Sequence, residues 1–340
     1  MTDTDPVPVP PPLPPARARK RALLEGAGLG ALYAVAIYAV FFKYHVLPTL
    51  AFLVLVPAAM GAVPQLIADE DQIDVYRTYL MRPWLGVLGF LVATGVIFRE
   101  AAVCMVVLAL PFLAVSAAAA FFVWAFQARK LQLARRKKAA LLLALLPLLW
   151  VPIERAWLMP VEEREERSAI RVEAPPDAVW SRLAQVERID ADEYPAGVFT
   201  WLGVPRPIRA TCDRAEVGAA RVGEFEYGLR FDEVITVCEP AREMTFSIAV
   251  DPATLREGSA ERHAFETGYF RFRDASYRLA PAGGATVLTL SSRYTIRSGW
   301  NAYGRLWARA LVADFQERVL KLLKARIERD RTRVVQASRR

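Results

Sequence analysis

The chain has 340 residues, 54% of them hydrophobic and 24% charged, with a formal net charge of +8. That length has room for about two domains. Three cysteines exclude a disulfide-rich scaffold and a multi-cysteine metal site, and two histidines in different halves leave almost no room for a zinc site or a histidine-centred triad.

The basic excess gathers at residues 17–21 and 129–138, beside apolar runs. There it sets membrane orientation and meets anionic lipid. Charge alone is weak evidence for nucleic acid, so no nucleic-acid partner is expected.

In chain order, residues 1–21 form a proline-rich, basic segment, read as a disordered and solvated tail. It is not a signal peptide, because the basic cluster follows the prolines and precedes a full-length apolar run. Residues 22–158 read as a transmembrane helical region, given that a crossing helix needs about 20 mainly apolar residues. About five spans are expected, at 22–42, 47–67, 84–98, 101–126 and 139–158. The last carries Pro147, Pro152, Glu154 and Arg155, which leaves open that it lies in the interface instead of crossing.

Lys and Arg alternate between the connections. Arg77 and Arg82 fall after span two, and six cations fall between spans four and five, against only Lys43 and Arg99 on the other side. Five crossings then put residues beyond about 160 on the non-cytoplasmic face of a bacterial inner membrane; four would leave them in the cytoplasm. The spans carry no mid-membrane charge of the kind a transport pathway uses. Gly26 and Gly30 form a small-xxx-small pair that leaves homo-oligomerisation through the spans open.

Residues 159–167 read as a charged linker around EEREER. From 168 to 330 the pattern changes to that of one soluble domain, followed by a basic tail at 331–340. SAIRVEA alternates as a strand, with Ile170 and Val172 on one face. Pro175 and Pro176 open a helix with Val179, Trp180, Leu183 and Val186 on its buried face. Strands are predicted near 206–213, 219–228, 230–238, 243–250, 268–280 and 285–297, joined by short turns as an antiparallel meander. Residues 251–268 read as a long polar loop. The last element, from Trp300 to about Glu328, carries a broad apolar stripe through Tyr303, Trp307, Leu311, Phe315 and Leu322.

The residues carrying a family likeness are IRVEAPPDAVWSRL at 170–183, the run at 218–248, GGATVLTL at 283–290 and the final helix through LLKARIE. In this order they resemble the START-like (SRPBCC) superfamily, which includes polyketide cyclase/dehydrase and lipid-transfer proteins. The resemblance covers about 167–330 and implies an α+β fold there: a C-terminal helix-grip domain, in which a curved antiparallel sheet wraps a long C-terminal helix; the apolar runs before it read as an all-α transmembrane bundle. It also implies a cavity between sheet and helix for a lipid or other apolar small molecule. No catalytic motif unites that superfamily, and no catalytic residue, metal or cofactor is assigned.

Alternation in FDEVITV puts Glu233 on the face of Phe231, Ile235 and Val237. There the carboxylate either orients a ligand or pairs with an arginine of a neighbouring strand. Tyr227, Tyr269, Tyr277 and Tyr294 offer amphipathic walls, though each is more often core than ligand contact; Tyr303 and Trp307 on the helix stripe suit the cavity mouth, and packing alone explains these two equally well. The ligand-binding candidates are therefore Glu233, Tyr227, Tyr269, Tyr294, Tyr303 and Trp307. Cys212 and Cys238 would form a disulfide only if their strands neighbour each other in an exported domain. Asp190, Asp192 and Glu193 are a weak calcium motif.

Three functions compete. The first is a membrane-anchored binding module for an apolar ligand beside membrane lipid. The second is a regulatory or assembly protein that binds a partner chain. The third, a cyclase- or dehydratase-type enzyme, is the weakest.

Overall fold

A computed structural model describes residues 15–67, 76–98, 102–126, 133–255 and 260–337. The chain divides into two compact units. One comprises residues 1–43, 51–94 and 108–152; the other comprises 44–50, 95–107 and 153–340.

The first unit is helical. Its helices are α1 (Ala16–Lys43), α2 (Val56–Ile67, entered through a π-helical turn at Ala51–Leu55), α3 (Tyr76–Ile97), α4 (Ala102–Ala125) and α5 (Leu133–Trp157). Four of them are long and apolar enough to cross a membrane. The second expected span is shorter than the reading of 47–67: a 17-residue apolar helix over Ala51–Ile67. The tail boundary also moves, since α1 starts at Ala16 and takes in residues read as tail. The connections holding Arg99, Glu100, Arg129 and Lys130 lie outside the described residues.

The centre of this unit is aromatic. Phe90 stacks on Phe112 at 5.0 Å, Phe112 meets Phe52 at 5.3 Å, and Tyr38 closes on Phe52 at 5.8 Å. Glycine allows two close approaches. A Cβ on Gly61 would meet the Ser116 carbonyl oxygen of α4 at 2.0 Å, and one on Gly26 would meet the Arg82 side chain at 2.6 Å. Arg82 is buried and donates to Gln65 at 3.2 Å. A charge inside the helical unit was therefore missed by reading Arg82 as part of a basic loop.

The second unit holds a seven-stranded antiparallel sheet in the order β1-β7-β6-β5-β4-β3-β2. The strands are β1 (Val161–Val172), β2 (Pro207–Cys212), β3 (Ala220–Phe225), β4 (Arg230–Glu239), β5 (Glu243–Val250), β6 (Phe270–Ala282) and β7 (Ala285–Arg297). Short helices α6 (Pro176–Trp180), α7 (Val198–Trp201) and α8 (Ala260–Glu266) interrupt them, and α9 (Asn301–Ala337) ends the chain. Register shifts in β2, β4 and β6 mark bulges, which bend a sheet.

The α+β helix-grip architecture is as expected, with four local corrections. EEREER is no linker: it is the first half of β1, laddered against β7 from Val161↔Arg297 onward. Its charges fit a strand because they pair with one another and with the last helix, Arg164 with Glu162 at 2.5 Å, Arg305 with Glu162 at 3.7 Å and Arg309 with Glu166 at 3.7 Å. The first helix stops at Trp180, and Val186 instead bridges Ala210 beside β2. The polar stretch 251–268 contains α8. Helix α9 runs nine residues past Glu328, so most of the expected basic tail is helical.

The dry core joins Val172, Leu183, Ile235, Met244, Tyr277 and Leu288 to Leu320, Leu323 and Ile327 of α9. A polar node bounds it. Gln316, fully buried, donates to the Glu166 carbonyl at 3.0 Å and the Ser292 hydroxyl at 2.9 Å, and accepts from Ser168 at 3.0 Å. A satisfied buried amide of this kind fixes one register between helix and sheet.

Candidate functional site

On the N-terminal side of Gln316 the concave face changes character. Phe225, Phe231, Phe270 and Phe272 come from β3, β4 and β6, Tyr294 from β7, and Phe315 from α9. Alternation places Phe270 and Phe272 on one side of β6, and the register sets them opposite Ile296 and Tyr294.

The rings form a chain. Phe225 meets Phe231 at 4.5 Å, Phe231 meets Phe272 at 5.5 Å, Phe272 meets Phe270 at 5.0 Å and Phe270 stacks on Tyr294 at 5.2 Å. Phe225 reaches across to Phe315 of the helix at 6.1 Å. Phe231, Phe270, Phe272 and Phe315 are only half-buried, unlike the residues of the dry core. The Tyr294 ring is fully buried, and its hydroxyl has no hydrogen-bond partner. Burial pushes this phenol up to about 12. Tyr294, Ile296 and Val312 form a second small core against which Phe270 and Phe272 pack, so the half-buried rings offer apolar contact while the hydroxyl lies beneath them.

Beyond the wall lies the expected carboxylate. Glu233 is on the inner face and buried, and its partner is Arg221 of β3, directly opposite in the ladder. Arg221 also donates to the Ala184 carbonyl at 3.1 Å, and its guanidinium lies 4.7 Å over the Phe246 ring. Burial pushes the Glu233 carboxyl up while Arg221 pulls the other way, and burial also raises the nearby Tyr277 phenol. Of the two readings left open for Glu233, the geometry is that of the ion pair with a neighbouring arginine.

The remaining candidates scatter. Tyr294 joins the aromatic wall. Tyr227 does not: it sits in a 3-10 turn after β3, with φ of 60° and 81% exposure, because β3 ends at Phe225. Tyr269 precedes β6, and its hydroxyl donates to the His45 carbonyl. Tyr303 donates to the Val107 carbonyl at 2.5 Å and stacks on Trp300 at 5.2 Å, while Trp307 meets Tyr303 edge-on at 6.3 Å.

Cys212 and Cys238 are free thiols that donate to the carbonyls of Arg214 and Ala215; β3 separates their strands in the sheet. Glu193 is occupied by Arg326 at 2.5 Å, so it is no calcium ligand here. Among the described residues no three His, Cys, Asp or Glu side chains converge as metal ligands.

The sequence reading missed Arg221, Phe225, Phe270, Phe272 and Phe315 as one set. The alternation F-R-F at 270–272 was the available signal.

The fold and this concave face define a helix-grip domain. Residues 165–328 match the family described as polyketide cyclase / dehydrase and lipid transport, and they form a domain of that type. No curated protein matches the chain. Solved structures similar to it include the Zhui aromatase/cyclase from Streptomyces sp. R1128, 16% identical, covering 49% of this chain and 95% of that one with a TM-score of 0.34. The Mll3558 protein from Rhizobium loti is 18% identical, covering 48% and 99% with a TM-score of 0.29. Norcoclaurine synthase from Thalictrum flavum, in complex with dopamine and hydroxybenzaldehyde, is 11% identical, covering 50% and 88% with a TM-score of 0.30.

Proposed function

We propose that this protein is a membrane-anchored binding module that takes a lipid or other apolar small molecule against the aromatic face of its helix-grip domain. The observation that carries the reading is the run of half-buried rings Phe231, Phe272 and Phe270 between the buried Phe225 and Tyr294.

The anchor rests on helices whose outward faces are apolar. Leu88, Val96, Leu110, Leu142 and Leu149 are all exposed. Such a surface belongs in hydrocarbon, not in water. The connections at 44–50 and 95–107 belong to the same compact unit as the domain, which is what five alternating crossings produce. The basic connections then face the cytoplasm and the domain faces away, in a bacterial inner membrane. Helix α2 with its π turn, at 17 residues, is at the lower limit for a crossing.

The test is mass spectrometry of what co-purifies with the full chain in detergent, beside a Phe231→Ala/Phe272→Ala variant. A stoichiometric apolar molecule lost in the variant supports the module and names its ligand class. A chain that carries none and ignores a lipid panel sinks it.

The second reading, a partner-binding protein, is favoured by Trp201, which is 84% exposed beside an exposed Val198 on α7. An enzymatic reading is weaker, because the inner-face carboxylate Glu233 is committed to Arg221.

A further inference from the structure

We infer that the second unit carries another binding site, for a phosphate group, where the ends of β6 and β7 meet the segments that follow α1 and end α5. A pocket of about 330 Å³ opens there, and its walls include His45, Arg155, Met159, Glu266, Tyr269 and Arg297.

The fold builds it from four directions. Arg297 is the last residue of β7, and its backbone N–H donates to the Tyr269 carbonyl at 2.8 Å. Tyr269 in turn gives its hydroxyl hydrogen to the His45 carbonyl. His45 follows the end of α1 in a left-handed conformation, φ 58°, which turns the chain back at this point. Arg155 lies in the last turn of α5.

Charge decides what the pocket takes. It has two guanidinium groups, and among the described residues neither Arg155 nor Arg297 has a carboxylate partner. The Nε of Arg297 is buried with no acceptor. The one carboxylate in the wall, Glu266, is paired with Arg262 at 2.6 Å. A buried donor without an acceptor is costly, and an oxyanion is what removes that cost. Two guanidinium forks around a space of this size suit the several oxygens of a phosphate.

The source follows from position. The candidate spans end at Lys43 and Ala156, so the pocket lies at the depth of phospholipid headgroups. The lipid source rests on the proposed membrane anchor; the phosphate chemistry does not.

The experiment is native mass spectrometry of the full chain in detergent with three probes: dioctanoyl phosphatidic acid, dioctanoylglycerol with the same chains and no phosphate, and inorganic phosphate. The expected result is retention of the phosphatidic acid well above dioctanoylglycerol. Its affinity should fall at least tenfold in the Arg155→Gln/Arg297→Gln double variant and be partly kept in the matching lysine variant. Competition by inorganic phosphate at similar concentration supports the site and makes a soluble phosphate its ligand. Equal retention of the two lipids, no binding of either phosphate probe, or an unaffected double variant would each overturn the proposal. If the double variant fails to fold, the wild-type comparison of the two lipids decides alone. Phe231→Ala/Phe272→Ala should weaken dioctanoylglycerol and leave phosphate selectivity intact, so failure of the aromatic site and failure of this one read differently.

Discussion

At the residue scale, Arg221 and Tyr294 are opposites: the buried charge of one is met and the buried hydroxyl of the other is not. Arg221 and Glu233 satisfy each other in the interior, so removing one leaves the other as an uncompensated buried charge. Arg221→Met should destabilise the domain by about 3–5 kcal/mol, with much of the loss recovered in Arg221→Met/Glu233→Leu. A urea titration of the three proteins measures both effects. Tyr294 already has an unpaired hydroxyl, so Tyr294→Phe should leave thermal stability unchanged or raise it. If that hydroxyl meets the ligand, the same change should weaken ligand binding several-fold, in line with about 1 kcal/mol for a neutral hydrogen bond. Lost stability with unchanged binding would remove Tyr294 from the site.

At the element scale, acid sensitivity should come from ties between loops and the ordered elements. Hydrogen bonding from Arg326 of α9 holds Glu193 below its ordinary range, and Arg206 beside β2 does the same for Glu226. A carboxyl whose pKa is depressed by folding adds stability that is fully present above its unfolded value, near 4.3, and is lost as pH falls through the folded value. The domain should therefore lose stability progressively below about pH 5, and Glu193→Gln/Glu226→Gln should flatten that dependence while lowering stability at neutral pH. Melting curves from pH 7 to pH 3 check the sign.

The same scale shows what the sequence made legible. The strands from 243–250 and 285–297 were placed correctly because alternation and tight turns are local signals. Strand β1 was cut short because EEREER carries no apolar alternation: its partners are Arg305 and Arg309, some 140 residues away, and only tertiary structure brings them together. Tyr227 was misplaced for a related reason. Its alternation fits a strand, but β3 stops at Phe225 and a left-handed turn carries the side chain out. Glu233 was read on the correct face, while its partner Arg221 was not identified, since a ladder register is invisible before the strands pair.

At the scale of the whole molecule, the proposed topology makes a prediction that composition alone does not. With five crossings, a periplasm-active reporter fused after residue 337 should be active, one fused within 127–132 should be silent, and a cytoplasm-active reporter should give the reverse pattern. Activity of both cytoplasmic fusions would mean that α5 does not cross but lies in the interface, and the domain would then face the same compartment as the basic connections.

The start of β1 has a mechanical consequence. Helix α5 ends at Trp157 and β1 begins at Val161, leaving residues 158–160 between them. Three residues extend to roughly 10 Å at most. A carrier that ferries cargo between two membranes needs a long leash, and this domain has almost none. On the proposed anchoring, whatever the domain binds is collected and surrendered within arm's length of the membrane, as at a fixed station past which ligands travel.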